Sequence, residues 1–376
     1  MTEVTESVQS MQTTQAEPGR VCPLRYRYGA SAIARAEPRV AQTLYVIGGL
    51  YGNVPALDAI EQMAAAESAA PTLCFNGDFN WFNIDDHQFT EINRRVLAHD
   101  AIQGNVEAEF DAIGGDTGCG CAYPDSVDSG IVERSNFIHA QLKATALRRP
   151  ELTARINRLP MFARYQVGDC RVGVVHGDAD SLAGWRFDVR ALDDPSAASW
   201  LRAVFRQGDV DLFASTHTCL PALRAFALTD VMTNSARGWV VNNGASGMPN
   251  FAGDMSGLCT RIGLMPSPHE MVHEVRVAGA YVSLLPVRFD AVRWHAEFLR
   301  QWPDGSPAWT SYWERIANGP MFWPEQVVNS DRSTRPTNCA DAIPAEPTRI
   351  SSWPDSTRPR SATVVTTKIG GGIIGS

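Results

Sequence analysis

Five side chains able to hold a cation or move a proton share one kind of position in this sequence. Asp78, Asn105, His176, Asp178 and His217 close, or follow closely upon, short apolar runs: TLCFNGD (72–78), AIQGN (101–105), RVGVVHGD (171–178) and DLFASTH (211–217). Carboxylate and amide oxygens together with imidazole nitrogens suit a divalent ion such as Mn, Fe or Zn, and three protein ligands plus a water suffice for catalytic zinc. Singly, each residue has a plainer reading. Asp78 after Asn-Gly and Asn105 after Gly are ordinary turn chemistry, and a lone histidine is commonly a satisfied core residue. Only convergence of the five would distinguish a site from five unrelated turns.

The elements that would bring them together recur along the chain. Two further runs, TLYVIGG (43–49) and WVVNNG (239–244), have the same form, and amphipathic stretches follow several runs, at 54–65 and 88–98. Strands alternating with helices predict an α/β sheet buried on both faces, and in such sheets ligands sit beyond the carboxyl ends of the strands. Later, YVSLLPVRF (281–289) reads as a strand and 291–300 as a helix.

Three segments are expected. Residues 1–42 form a disordered or loosely docked arm, with 22–34 as its docking part; 43–328 form one ordered domain; and 329–376 form a tail rich in Pro, Ser, Thr and Arg that cannot bury enough apolar area to order itself. A formal net charge of -8 argues against nucleic-acid backbone or an anionic membrane surface as the main partner. Residues 1–17 lack the basic and apolar regions of a signal peptide, and no apolar run approaches the roughly 20 residues that span a bilayer. Eight cysteines scattered through a chain of 376 residues do not make a dense disulfide scaffold. The expectation is a cytoplasmic protein with reduced thiols. The close pair Cys119 and Cys121 reads as a metal, redox or structural loop, with inert packing as the default.

The ordered blocks LYVIGGLYGNVPAL, NGD, GNVE, HGD, STHT and NNGASGMP, spanning about 43–289, resemble the calcineurin-like metallophosphoesterases. That family's blocks read D-x-H-G-N-x-x-A-L, G-D, G-N-H-[DE], H-G, G-H-T-H and N-P-G-S-x-G-x-P. The resemblance implies a four-layer α/β/β/α sandwich and a phosphoesterase site in which metal ions generate a hydroxide nucleophile. Carried over by position, Asp78 matches the bridging carboxylate and Asn105, His176 and His217 match three further ligands. Asp78, His176 and His217 are the implied catalytic groups, with Tyr51, Asn53 and Glu107 expected at the substrate.

The departures from that pattern are as specific. Gly49 and Tyr51 replace two ligands of the first block, Val106 replaces the acid histidine of the third, and Ser215 replaces the first histidine of the fifth. A normal two-metal centre is therefore not expected, and a single divalent ion is. Asp178, Glu107, Cys119, Cys121 and Cys219 are local candidates to complete its ligand set, Cys219 on the expectation that a strand-like extension carries it to the same side as His217. Tyr51 either bonds a phosphate or plugs the vacated position. Trp81, Phe82, Trp185 and Phe187 are core aromatics by default, or walls of a pocket.

The leading functional expectation is a hydrolase acting on a small phosphorylated substrate or nucleotide. The alternative is a non-catalytic descendant that binds phosphate, nucleotide or a regulatory partner in the same cleft. A third reading rests on the chain's last residues, TVVTTKIGGGIIGS, where Gly370, Gly372 and Gly375 have the G-x-G-x-x-G spacing. This resembles the opening strand and turn of FAD-dependent oxidoreductases, but without a following helix and acidic residue it cannot bind a dinucleotide alone.

Overall fold

A computed structural model describes residues 17–111, 117–228 and 237–328. Two six-stranded mixed sheets stack face to face. In the first, the spatial order is His273–Val277, Ala280–Val287, Gly257–Gly263, Thr43–Ile47, Thr72–Asn76 and Asp100–Ile102. The last three strands are mutually parallel, and Gly257–Gly263 runs antiparallel to both of its neighbours. In the second, the order is Arg39–Val40, Phe162–Val167, Cys170–Val175, Leu212–Ser215, Arg237–Asn243 and Pro221–Ala227. Its middle three strands from Cys170 onward are parallel, flanked by antiparallel partners.

The two-residue period of a strand divides the first sheet's side chains between two cores. Leu44, Val46, Cys74 and Ile102 face the second sheet and meet Val172, Val174, Ala214 and Val241. Tyr45, Ile47, Phe75 and Ala101 point the other way, onto Leu57 and Ile60 of helix Val54–Ala65 and Ile92 and Val96 of helix Asp86–Val96. On the outer face of the second sheet, Phe213 packs on Phe205 of helix Ala198–Gly208, which lies beside helix Ala30–Arg35. The chain is therefore the four-layer α/β/β/α sandwich that the resemblance implied.

Helix Val54–Ala65 shows how closely sequence and local structure agree. Asn53 caps helix Val54–Ala65 by accepting from Ala56 N at 2.9 Å, and Pro55 occupies a first-turn position where its missing N–H costs nothing. The same geometry corrects the assignment of Asn53 to the substrate: its carbonyl caps the helix and its amide donates to Gly247 O at 3.0 Å, so its side chain is fully used within the scaffold.

Ordered structure also begins before Thr43. Tyr26 and Ile33 are fully buried, Tyr26 and Arg25 both bond the buried Glu109, and Tyr28 Oη donates to Asp178 O at 2.7 Å. Residues 17–42 are thus clamped to the domain, because their aromatic and arginine side chains reach buried acceptors that lie far along the chain. The segments 1–16 and 329–376, with Gly370, Gly372 and Gly375, lie outside the described residues. Among the described residues no helix is long and apolar enough to cross a membrane, and the seven described cysteines are unpaired.

One ion pair in the first sheet has a pH signature. Glu67 is bonded by Arg261 at 2.6 and 3.1 Å and by Tyr45 Oη at 2.7 Å, with its side chain 4% exposed. Burial alone would raise its carboxyl pKa, but these bonds more than offset that and hold it below the usual value. A depressed folded pKa means the contribution is fully present above the unfolded value of about 4.3 and is lost as pH falls through the folded value. Wild type is therefore expected to lose urea-unfolding stability more steeply below about pH 5 than Glu67→Gln, which has no carboxylate to protonate there. Parallel slopes for the two proteins would show that the pair contributes no linkage.

Candidate metal centre

The candidate residues leave the sandwich at the carboxyl ends of its parallel strands. Asp78 follows Thr72–Asn76, Asn105 follows Asp100–Ile102, His176 follows Cys170–Val175 and His217 follows Leu212–Ser215. At this edge the two sheets approach so closely that a Cβ on Gly48 would lie 2.3 Å from Thr216 Cβ. The loop after Arg237–Asn243 stitches the edge together: Ser246 N and Gly247 N donate to Gly48 O and Gly49 O at 2.8 and 3.0 Å. Gly77, at φ +75°, lets its turn pass against Gly104, where a Cβ would sit 2.4 Å from the Gly104 nitrogen.

All four ligand candidates meet around one imidazole nitrogen. His176 is fully buried, and its Nδ1 lies 2.8 Å from Asn76 O, which orients the ring and presents Nε2 to the cluster. That Nε2 is 3.3 Å from Asp78 Oδ2, 3.2 Å from Asn105 Oδ1 and 3.3 Å from His217 Nδ1. One ligand atom each of Asp78, His176 and His217 falls within 4.8 Å of the others. Asn105 is fixed from behind, its amide nitrogen donating to Cys119 O at 2.9 Å so that its oxygen faces inward.

The charges are mutually arranged. Burial alone would depress His176, but the Asp78 carboxylate outweighs it and holds the imidazole above its usual value. Asp78 shows the reciprocal effect: burial opposes ionisation, yet His176 and His217 bring it below the usual carboxylate range. His217 is pushed down to about 3 by burial, with His176 adding to it, so its ring is neutral. Its Nε2 is buried and makes no hydrogen bond of normal geometry. A neutral imidazole with an unsatisfied nitrogen, a carboxylate and an inward amide oxygen fit a divalent cation of borderline character.

Backbone strain collects at the same place. Of the seven described non-glycine residues with positive φ, four border this cluster: Tyr51 (55°), Asp78 (53°), His217 (41°) and Cys219 (62°). Each costs on the order of 1–3 kcal/mol and persists only where its surroundings over-determine it.

Several sequence expectations are corrected here. Glu107 does not face a substrate. Its Oε2 accepts from Asp78 N at 2.8 Å and Gly104 N at 3.1 Å, and its Oε1 from Asn80 at 3.3 Å, so it braces the two turns that carry Asp78 and Asn105. Burial, with Asp78 adding to it, raises its carboxyl to about 7. Asp178 is likewise internal, accepting from the backbone of Asp180, Ser181 and Arg186 at 2.9, 3.1 and 3.2 Å. Cys219 reaches the site through a left-handed turn, not through a strand extension, and its Sγ lies 3.0 Å from Tyr51 Oη. Phe82 and Phe187 are core, whereas Trp81 and Trp185 line the cavity beside the cluster.

Sequence reasoning missed Tyr123 and Tyr312, which line the same cavity. Tyr312 comes from helix Pro307–Asn318, and no motif ties that helix to the strand ends. Tyr123 sits just beyond the Cys119–Cys121 pair, whose Cys121 also borders the cavity. That proximity was the only signal for it.

No protein-family model matches this chain. No curated protein matches it either. Among solved structures it is similar to a metallophosphoesterase from Sphaerobacter thermophilus, at 20% identity over 74% of this chain and 100% of that one, with a TM-score of 0.46. A hypothetical protein from Pyrococcus horikoshii OT3 is 15% identical over 75% of this chain and 100% of its own, with a TM-score of 0.49. Vps29 from Entamoeba histolytica, solved in complex with Zn2+, is 12% identical over 65% of this chain and 99% of its own, with a TM-score of 0.31. At these identities and TM-scores the likenesses assign no role to any residue of this chain.

Proposed function

We propose that this chain is a metallophosphoesterase-type hydrolase that acts on a small phosphorylated substrate with one divalent ion held by Asp78, His176 and His217, assisted by Asn105. The observation that carries the reading is the convergence of three ligand atoms within 4.8 Å at the carboxyl edge of a buried sandwich. Unpaired thiols at every described cysteine are in keeping with a reducing, cytoplasmic setting. Nitrogen and oxygen donors favour Mn, Fe or Zn.

When bound, such an ion would polarise a phosphoryl oxygen and lower the pKa of a water molecule. The chain's own contribution is positional. Asn76 fixes the His176 ring, Val106 N donates to Asp78 Oδ1 at 3.2 Å, and Glu107 holds the turn beneath. Val106 stands where the resembled family has its acid, so the protein supplies no proton donor from that position and leaving groups of low pKa are favoured.

One observation favours a second, non-catalytic reading. Tyr51 fills the space over Gly49, where a Cβ would meet its ring at 2.9 Å, and burial keeps its phenol protonated. A cleft plugged in this way could bind an anion without turning it over. Protein stripped of metal and reloaded with Mn, Fe or Zn is expected to hydrolyse an activated phosphodiester. Absence of turnover with every ion, in protein that retains metal, would leave the binding reading and reject the hydrolase.

A further inference from the structure

A second cavity, of about 760 Å³ and half open to solvent, lies away from the Asp78 cluster. It sits where strands Cys170–Val175 and Arg237–Asn243 begin, whereas His176 follows the end of the first of them. At about 3.3 Å per residue, the backbone at Arg171 stands roughly 16 Å from that at His176. Five arginines and two aspartates line the cavity, in a chain whose formal net charge is -8.

The aspartates are already neutralised. Asp211 accepts from Arg171 Nε and Nη2 at 3.0 and 2.8 Å, and Asp209 accepts from Arg164 Nη2 at 2.7 Å and from Arg171 Nη1. Arg206, Arg237 and Arg276 are exposed and pair with no carboxylate among the described residues. Arg206 also complements the negative end of helix Ala198–Gly208, but Arg237 and Arg276 lie outside that helix, on a strand and beside a hairpin turn. Arg276 is stacked on Tyr281, its guanidinium carbon 3.9 Å from the ring centroid. Stacking holds the guanidinium plane while leaving the N–H groups at its edge free to donate. Grouped cations repel one another, and an anion among them turns that repulsion into attraction.

Guanidinium forks match phosphate oxygens two at a time. The three unpaired arginines come from a helix, a strand and a hairpin, so several linked phosphates engage them together where one carboxylate would meet only one. Half-buried Trp239 adds a ring to the same wall, and the volume is within the roughly 300–1,000 Å³ usual for small-molecule sites. We infer that this cavity binds a small polyphosphate anion, either an inorganic chain or the chain of a nucleoside triphosphate, at a site separate from the Asp78 centre and independent of any metal there.

Calorimetric titration with inorganic tripolyphosphate and with ATP, in low salt and with EDTA present so that the Asp78 centre carries no ion, tests this. Binding with a Kd below about 100 μM is expected, weakening as salt is added. Tripolyphosphate as tight as ATP or tighter identifies the inorganic chain as the ligand, and tighter ATP identifies a nucleotide; either result upholds the inference. Arg237→Gln combined with Arg276→Gln, both at exposed positions, should weaken binding at least about tenfold. Asp78→Asn should leave it unchanged, as should Arg94→Gln combined with Arg190→Gln, two exposed arginines that do not line the cavity. Failure of both compounds to bind wild type overturns the inference, as does full affinity in the Arg237 and Arg276 variant. An equal loss in the Arg94 and Arg190 variant reduces the effect to general attraction and overturns it too, and loss in Asp78→Asn moves the ligand to the Asp78 centre.

Discussion

Asp78→Asn is expected to lose its metal while keeping its fold. Wild type reloaded with Mn or Zn and desalted should retain about one ion per chain by elemental mass spectrometry, and the variant below about a tenth of that. Loss of a partner that merely orients a ligand typically costs about 10–100-fold in metal affinity, and removing a ligand's charge should exceed that. Asparagine is the informative replacement because Asp78 sits at φ 53°, a left-handed conformation that Asn tolerates and most residues do not. Its side-chain oxygen can still accept from Val106 N as Asp78 Oδ1 does. The turn therefore survives and only the charge is lost. A thermal midpoint within a few degrees of wild type would separate lost coordination from lost structure. Full retention of one ion by a folded Asp78→Asn protein would show that the Asp78 carboxylate charge is not what holds the ion, and would overturn its proposed role in the centre.

What the sequence made legible is the set of strands whose ends carry chemistry, and the reason is physical. Strands buried on both faces read as uninterrupted apolar runs, and each parallel run from Thr43–Ile47 to Arg237–Asn243 was visible as such. Helix Val54–Ala65 was visible as an amphipathic stretch, although its cap Asn53 was read as a substrate residue. By contrast, helix Ser129–Leu147 was missed because its buried face includes Ser135, His139 and Thr145 among the aliphatics, which breaks the apolar period on which the reading depends. The stacking of two sheets had no local signature at all and entered only through the resemblance.

The site divides along the same line. That Asp78, Asn105, His176 and His217 come together was legible because register at a strand end is a local property. Asn53 and Glu107 were misassigned because their work is done against distant backbone: Asn53 on Gly247, and Glu107 on Asp78. A polar residue beside a motif is as able to brace the motif as to face a ligand, and only the identity of its partner decides between the two.

Away from the site, Arg261→Met is expected to lower unfolding stability by about 3–5 kcal/mol, read from urea denaturation. Arg261 is 1% exposed on strand Gly257–Gly263, where it binds Glu67 through two nitrogens and donates to Met265 O at 2.9 Å. Truncating it leaves Glu67 buried with Tyr45 Oη and, 3.8 Å away, His269 Nε2, and the cost is chiefly that of a poorly compensated charge. The net worth of the pair is a separate quantity. Replacing both partners, Glu67→Leu with Arg261→Met, removes the stranded charge and should recover most of the loss, because apolar replacements of a buried pair are often neutral or better. The coupling energy from this cycle is then large and favourable even though the pair's net contribution is small. If Arg261→Met alone cost less than about 1 kcal/mol, the range of an exposed pair, water would have to reach Glu67 in the variant, and the packing between strand Gly257–Gly263 and Glu67 would be looser than it looks.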